Sequence, residues 1–238
     1  MKLKSEVIRL LDRGYELENA FARELPEGER ENPGSFSAWS GRDVLNHSAF
    51  WILHTANNLE RILSGQKAEW IEDYNHQNEL VYQQHNQDDW ETVLSHVSTA
   101  SDRLLEETGK LSEEQLLNPQ YLQQEHERPA WQHILGSGYL HVVMHLADYW
   151  IKHGREELAR EVYREMSEAI APLDENPVWQ GTVLYNQACI EALTGQEQDA
   201  LELLTHAFSL HPGLKEWSQQ DTDMVSLHDL PVFKKLVE

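Results

Sequence analysis

The chain has little cysteine, few positive charges and no long apolar run, and each shortage excludes a class of protein. Cys189 is the one cysteine among 238 residues, so no internal disulfide can form. No stretch approaches the ~20 apolar residues that a membrane-spanning helix needs. The first twenty residues are amphipathic and charged, unlike a signal peptide. We therefore expect a cytoplasmic protein in which Cys189, set among small and apolar neighbours, is a core residue.

Positive charge is scarce. The chain has 19 Lys and Arg against 41 Asp and Glu, which gives a net charge of −22. No Lys or Arg occurs between Arg164 and Lys215. Such a surface repels phosphate, so we expect neither nucleic acid nor an anionic membrane as a partner. A charge of this size serves solubility in many acidic proteins.

Apolar and aromatic residues are plentiful, and their spacing is helical. Hydrophobic residues make up 40% of the chain, including eight Trp and eight Tyr, which predicts a folded protein. Apolar stripes with helical period predict four long helices, at residues 4–24, 41–65, 90–109 and 130–154. A long connection, residues 66–87, separates the second helix from the third. We predict an all-α chain whose first domain, residues 1–153, is a four-helix bundle with a crossover.

The second predicted domain, residues 154–238, has a different pattern. It contains a helix-turn-helix in which small residues, a turn glycine and a terminal proline fall at the offsets of a tetratricopeptide repeat. These residues are Ala188, Gly195, Ala200, Leu204, Ala207 and Pro212. Fewer than three repeats seldom stand alone, so the module is either a structural extension of the bundle or a surface for a protein partner.

Two histidines in the fourth predicted helix raise the question of a metal site. His141 and His145 are one turn apart in the apolar stretch "YLHVVMHLADYW" and so lie on one helix face. His47 is on the inward stripe of the second helix. Three imidazoles can hold one metal and leave coordination positions open for water or substrate. The alternative is that each is a core histidine bonded to a carbonyl or a tyrosine.

Two sequence motifs resemble those of the DinB-like (YfiT-like) superfamily. In "SAWSGRDVLNHSAFW" a Trp and a polar cap precede Asp-hydrophobic-Leu-x-His, and "YLHVVMHLADYW" carries the His-x-x-x-His of the family's fourth helix. The Trp-rich crossover and the stretch "LSEEQL" are most similar to the ClbS/DfsB branch. The resemblance covers residues 1 to about 153.

The resemblance implies a fold, a cofactor and a range of activities. The fold is an up-down-down-up four-helix bundle, often a homodimer. The cofactor is a divalent metal, commonly zinc or nickel, with His47, His141 and His145 as its ligands. Related bundles act as thiol-dependent S-transferases or isomerases, and those of the ClbS branch as hydrolases that protect against reactive small molecules.

Other residues near the three histidines are candidates for a supporting role. Asp148 follows His145 by three residues and would either orient a ligand imidazole or be a solvated carboxylate. His54 lies two turns beyond His47 and would either neighbour the site or fill a helix interface. Gly136 and Gly138 would permit either close helix packing or room for a ligand. The aromatic candidates for the wall of an apolar pocket are Trp51, Tyr139 and Tyr149.

Two functions are consistent with these observations. The first is a metal-dependent hydrolase or thiol S-transferase that acts on a reactive small molecule. The second is a non-catalytic binding protein, in which the bundle is a platform, the histidines are core residues and residues 154–238 contact a protein partner. The sequence does not name a substrate.

Overall fold

The computed structural model describes residues 2–123 and 128–238, and their regular structure is helical. Within these residues there is no β-strand, only an isolated bridge between Ser35 and Ala38. The prediction of an all-α chain is therefore confirmed. The chain divides into two compact units, Met1–Leu146 and Ala147–Glu238. The predicted boundary, after residue 153, comes later in the chain than this division. It lies just past the end of the helix within which the division falls.

The described residues up to Lys152 form eight helices, which make up the four long helical segments that the sequence predicts and three short helices. The last of the eight crosses the division between the two units. In order, the helices are α1 (Leu3–Glu24), α2 (Glu27–Glu31), α3 (Gly41–Leu63), α4 (Tyr74–His85), α5 (Trp90–Lys110), α6 (Glu113–Leu117), α7 (Ala130–Leu135) and α8 (His141–Lys152). A π-helical turn, Gly136–Leu140, joins α7 to α8. The helix predicted over residues 130–154 is therefore one helical segment with a π-turn inside it.

The start of α3 is fixed by a short set of polar contacts. Asp43 Oδ2 accepts hydrogen bonds from the backbone N–H of Ser40, at 2.9 Å, and from its hydroxyl, at 2.8 Å. The same oxygen accepts from the N–H of Gly34 at 2.6 Å, which holds the preceding loop against the helix. The predicted cap at Ser40 is confirmed, and the helix register that it sets places His47 on the buried face.

The connection predicted over residues 66–87 contains the twelve-residue helix α4. Asp73 caps it, accepting from the N–H of His76 at 2.9 Å. Val81 is its one buried residue, so α4 lacks the apolar stripe from which a helix is predicted. It packs on α3, and the Trp51 indole N–H donates to Asn78 Oδ1 at 2.9 Å.

The core of the first unit lies between its long helices. Helix α3 packs along α5, α1 contacts both of them, and the π-turn contacts α1 and α3. The fully buried side chains of this core include Leu10, Leu45, Leu59, Leu104 and Ile134. These contacts agree with helix-on-helix packing, and the up-down-down-up order of the bundle stays a prediction.

Gly14 of α1 and Gly138 of the π-turn bring two backbones into close contact. A Cβ atom on Gly14 would lie 2.2 Å from the carbonyl oxygen of Gly138, and one on Gly138 would lie 2.4 Å from Leu11 Cδ2. A Cβ on Gly136 would meet nothing within 4 Å. Of the two roles predicted for this glycine pair, Gly138 therefore has the packing role, while Gly136 leaves open space.

We expect Gly14→Ala to lower the free energy of unfolding by about 2 kcal/mol, because backbone atoms must move to admit the methyl group. Helix propensity alone would favour alanine by about 1 kcal/mol. The matched control is Gly109→Ala in α5, where a Cβ would have no neighbour within 4 Å. Urea unfolding measures both variants. Equal stability of the two would contradict the close contact.

After the end of α8, the second unit contains α9 (Glu156–Ile170), α10 (Pro177–Leu193), α11 (Glu197–Leu210), α12 (Leu214–Ser218) and α13 (Pro231–Val237). Helices α10 and α11 pack on each other across a turn in which Gly195 has φ of +76°. The predicted helix-turn-helix is confirmed, and its assignment as a tetratricopeptide repeat stays a prediction. Cys189 lies in the apolar core of this unit, 7% exposed, as predicted.

Candidate metal centre

The three histidines singled out in the sequence converge on one point. His47 Nε2 lies 3.2 Å from His141 Nε2, and His145 Nε2 lies 2.9 Å from the same atom. One ring nitrogen from each residue lies within 4.8 Å of those of the other two. We call His47, His141 and His145 the histidine centre.

Two elements position the histidine centre. His141 and His145 are one turn apart at the start of α8, immediately after the π-turn, and their rings meet edge to face at 4.3 Å. His47 comes from α3, which packs against that turn. π-Turns occur frequently at functional sites, because the extra residue re-aims the side chains that follow it.

Trp39, the residue before the cap of α3, covers the histidine centre. Its ring centroid lies 4.4 Å from that of His47 and 5.8 Å from that of His145. The sequence analysis noted this Trp only as part of the motif before the second helix and did not predict its contact with the histidines. The sequence signal for it is the motif itself, a Trp at a fixed distance before an inward histidine.

Burial keeps two of these imidazoles neutral. It lowers the pKa of His47 to about 2, with further lowering by His145 and His141, and it lowers the pKa of His141 to about 4. A metal binds the neutral ring, so neither residue must lose a proton near pH 7.

The arrangement fits a metal better than it fits hydrogen bonds among the rings. A neutral imidazole offers one N–H and one lone pair, so three converging nitrogens cannot all be satisfied by protons between them. Three nitrogens at ~2.0–2.1 Å from one tetrahedral ion are about 3.3 Å apart, close to the spacings found here. The Nδ1 atoms of His47 and His141 are buried without a hydrogen-bond partner. A ligand histidine usually donates its second N–H, so these two lack the usual orienting contact.

The histidine centre lies in the wall of a cavity of about 450 Å³ in the first unit. Aromatic side chains form much of the remaining wall. They are Trp39, Trp51, Trp70 and Tyr74. Gly136 also lines the cavity, so the space beside this glycine is part of it. The volume suits a small organic molecule.

Several polar groups lie in the cavity wall beside the histidine centre. The hydroxyls of Thr55 and Ser137 are 2.8 Å apart. Arg128 brings a positive charge, and His133 beside it has its pKa lowered to about 4, chiefly by burial. The sequence analysis missed all four residues, since none belongs to a motif.

Of the residues predicted to support the histidine centre, the structure places some in the cavity wall and others away from it. Trp51 and His54 line the cavity, and burial lowers the pKa of His54. Tyr139 is fully buried and does not line the cavity. Asp148 and Tyr149 fall in the second unit, where burial raises the pKa of Asp148 and Tyr149 stacks on His153 at 3.9 Å.

The orientation of His54 follows from its neighbours. Asn58 Oδ1 accepts from the N–H of Glu69 at 2.7 Å, which fixes the amide. Asn58 Nδ2 then donates to the backbone oxygen of Glu69 and to His54 Nε2, at 3.1 and 3.2 Å. Because Nε2 accepts, the proton of neutral His54 is on Nδ1.

Comparison with known proteins gives no assignment. No protein-family model, curated protein or solved structure matches the chain. The resemblance to the DinB-like superfamily therefore stays a prediction. Of the helices in residues 2–123 and 128–238, none is long and apolar enough to cross a membrane.

Proposed function

We propose that this protein is a DinB-like, metal-dependent enzyme, a hydrolase or a thiol S-transferase, that acts on a small electrophilic molecule. The observation that carries the proposal is the convergence of three imidazole Nε2 atoms at the wall of a cavity of about 450 Å³. A buried core histidine would need no adjoining space, whereas a reaction centre does.

The chain's own residues have separate tasks in this proposal. His47, His141 and His145 would hold the metal, zinc or nickel, through their ring nitrogens. When bound, such an ion supplies Lewis acidity, which lowers the pKa of water or of a thiol. Trp51 and Trp70 contact the apolar part of the substrate and keep bulk water away from it.

The polar groups of the cavity orient the substrate. The Ser137 hydroxyl, paired with Thr55 at 2.8 Å, donates a hydrogen bond to a carbonyl or ether oxygen. Arg128 binds an anionic group of the substrate or of a thiol cosubstrate. His54, with its proton on Nδ1, is a further donor in the wall.

The experiment is a turnover assay of the zinc- and nickel-loaded full chain with activated esters and epoxides. Each substrate is offered with and without glutathione, which separates hydrolysis from S-transfer. We expect at least one substrate to turn over at least tenfold faster than with the chelator-treated protein, since Lewis acidity is worth several kcal/mol. Conversion only with the thiol identifies an S-transferase.

The matched variant is Ser137→Ala, which keeps the metal ligands and removes one hydroxyl. We expect it to slow turnover while the metal content stays unchanged. Equal rates for loaded and chelator-treated protein with every substrate would contradict an enzyme. Saturable binding without conversion would instead indicate the non-catalytic binding protein.

A further inference from the structure

A second group of metal-ligating side chains lies outside the histidine centre. His85 Nδ1 is 2.7 Å from Asp88 Oδ2, and His96 Nδ1 is 3.6 Å from the same oxygen. The ligand atoms of the three residues all lie within 4.8 Å of one another. We call His85, Asp88 and His96 the α4–α5 cluster.

The α4–α5 cluster joins three helices of the first unit. His85 is the last residue of α4, Asp88 lies in the following turn, and His96 is in the second turn of α5. Asn46 of α3 adds an oxygen, since its Oδ1 is 3.2 Å from His96 Nδ1. Asn46 Nδ2 donates to the backbone oxygen of His85 at 3.3 Å, which keeps Oδ1 directed at the cluster.

The Arg42 guanidinium lies close to Asp88 but does not pair with its carboxylate. It donates instead to the backbone oxygens of Arg30, Glu31 and Asp88. The side chains of His85, Asp88 and His96 are 20%, 22% and 36% exposed, so an ion can reach them from solvent. Two imidazole nitrogens and a carboxylate oxygen make up a donor set typical of zinc and similar divalent ions.

We propose that His85, Asp88 and His96 bind a second divalent cation of the zinc class, with Asn46 Oδ1 as a fourth oxygen donor. The proposal is independent of the proposed function, because it uses none of the residues of the histidine centre. Zinc at this point ties the C-terminal end of α4 to α3 and α5.

A metal at the α4–α5 cluster would also affect the cavity beside the histidine centre. Tyr74 and Asn78, in the first half of α4, line it, while the α4–α5 cluster is at the other end of the same helix. Val81 is the single buried residue of α4, so few apolar contacts hold this helix. A metal at its end would stabilise one wall of the cavity without contacting a ligand there.

Zinc stoichiometry tests the proposal. The full chain is stripped with chelator, titrated with zinc, and its bound metal counted by elemental analysis. We expect two equivalents in the wild type and one in His85→Gln and in His96→Gln. The control His76→Gln removes an exposed histidine from α4 and should keep two. His141→Gln with His145→Gln should keep one equivalent, that of the α4–α5 cluster.

The outcomes separate this proposal from the function. One equivalent in the wild type that is lost in His85→Gln supports the α4–α5 cluster and contradicts the histidine centre. A wild-type stoichiometry that His85→Gln and His96→Gln leave unchanged overturns the proposal.

Amide hydrogen exchange of the wild type gives a second readout if a variant does not fold. Zinc should slow exchange at residues 82–89 by at least tenfold at saturation. Unchanged exchange there would overturn the proposal.

Discussion

Replacing His141 with glutamine is expected to weaken zinc binding at the histidine centre by more than about 100-fold. His141 Nε2 is the atom that the other two rings approach, at 3.2 and 2.9 Å. Removing a hydrogen-bond partner from a metal ligand costs 10–100-fold in affinity, and loss of the ligand itself should cost more. Competition with a chromophoric chelator measures the affinity, and circular dichroism checks the fold.

The control for this experiment is His206→Gln, which changes an exposed histidine of α11 and should leave zinc affinity as it is. A folded His141→Gln protein with wild-type zinc affinity at both sites would contradict the centre. Loss of the fold, with no stabilisation of the wild type by zinc, would indicate that the three rings are core residues.

At pH 6, zinc binding at the histidine centre should release no protons from His47 or His141. The pKa values of these residues, about 2 and about 4 in the metal-free protein, mean that both rings are already neutral at that pH. An ordinary histidine, with a pKa near 6.5, would be mostly protonated. Calorimetry of His85→Gln in buffers of different ionisation enthalpy counts the protons. Release of two or more protons per zinc at pH 6 would contradict burial as the cause.

The residues of the histidine centre could be predicted from the sequence because they lie in strong helical patterns. Ser40 and Asp43 mark the start of α3, which fixes the face on which His47 lies. The spacing of His141 and His145 places them on one face whatever the tertiary structure. Whether that face meets His47 depends on the packing between helices, which hydrophobic periodicity does not predict. The expectation that the three histidines meet came from the motif resemblance.

The features that the sequence did not predict depend on contacts between segments whose hydrophobic periodicity is weak. Helix α4 has Val81 as its one buried residue, so nothing in its periodicity predicts a helix. His85 and His96 lie in polar stretches eleven positions apart, and only the turn between α4 and α5 brings their rings to 4.9 Å. The cavity wall similarly combines Thr55 with Ser137, which are far apart in the chain.

Replacing Glu18 with glutamine is expected to stabilise the protein by about 3 kcal/mol at pH 7, apart from any constant difference between the two buried side chains. Glu18 is 1% exposed in the core side of α1, and neither of its carboxyl oxygens has a hydrogen-bond partner. Burial raises the pKa of Glu18 to about 8, from 4.5 in the unfolded chain. Its carboxyl is therefore protonated in the folded protein at neutral pH.

The sign of the pH dependence follows from these two pKa values. Below pH 4.5 both states carry the proton, and Glu18 costs no ionisation energy. Above pH 4.5 the unfolded chain is stabilised because Glu18 loses its proton, while the folded chain keeps this proton until about pH 8. The wild type should therefore lose about 1.4 kcal/mol of stability per pH unit in this window because of Glu18, and Glu18→Gln should not.

Urea unfolding at pH 5.5, 6.5 and 7.5 measures the difference between Glu18→Gln and the wild type. We expect that difference to grow with pH, because the amide cannot ionise in either state. The control is Glu16→Gln on the same helix, an exposed carboxylate paired with Arg13 at 3.3 Å, which should change stability by less than about 1 kcal/mol. Parallel stability curves for Glu18→Gln and the wild type would show that Glu18 is ionised or solvated in the folded protein.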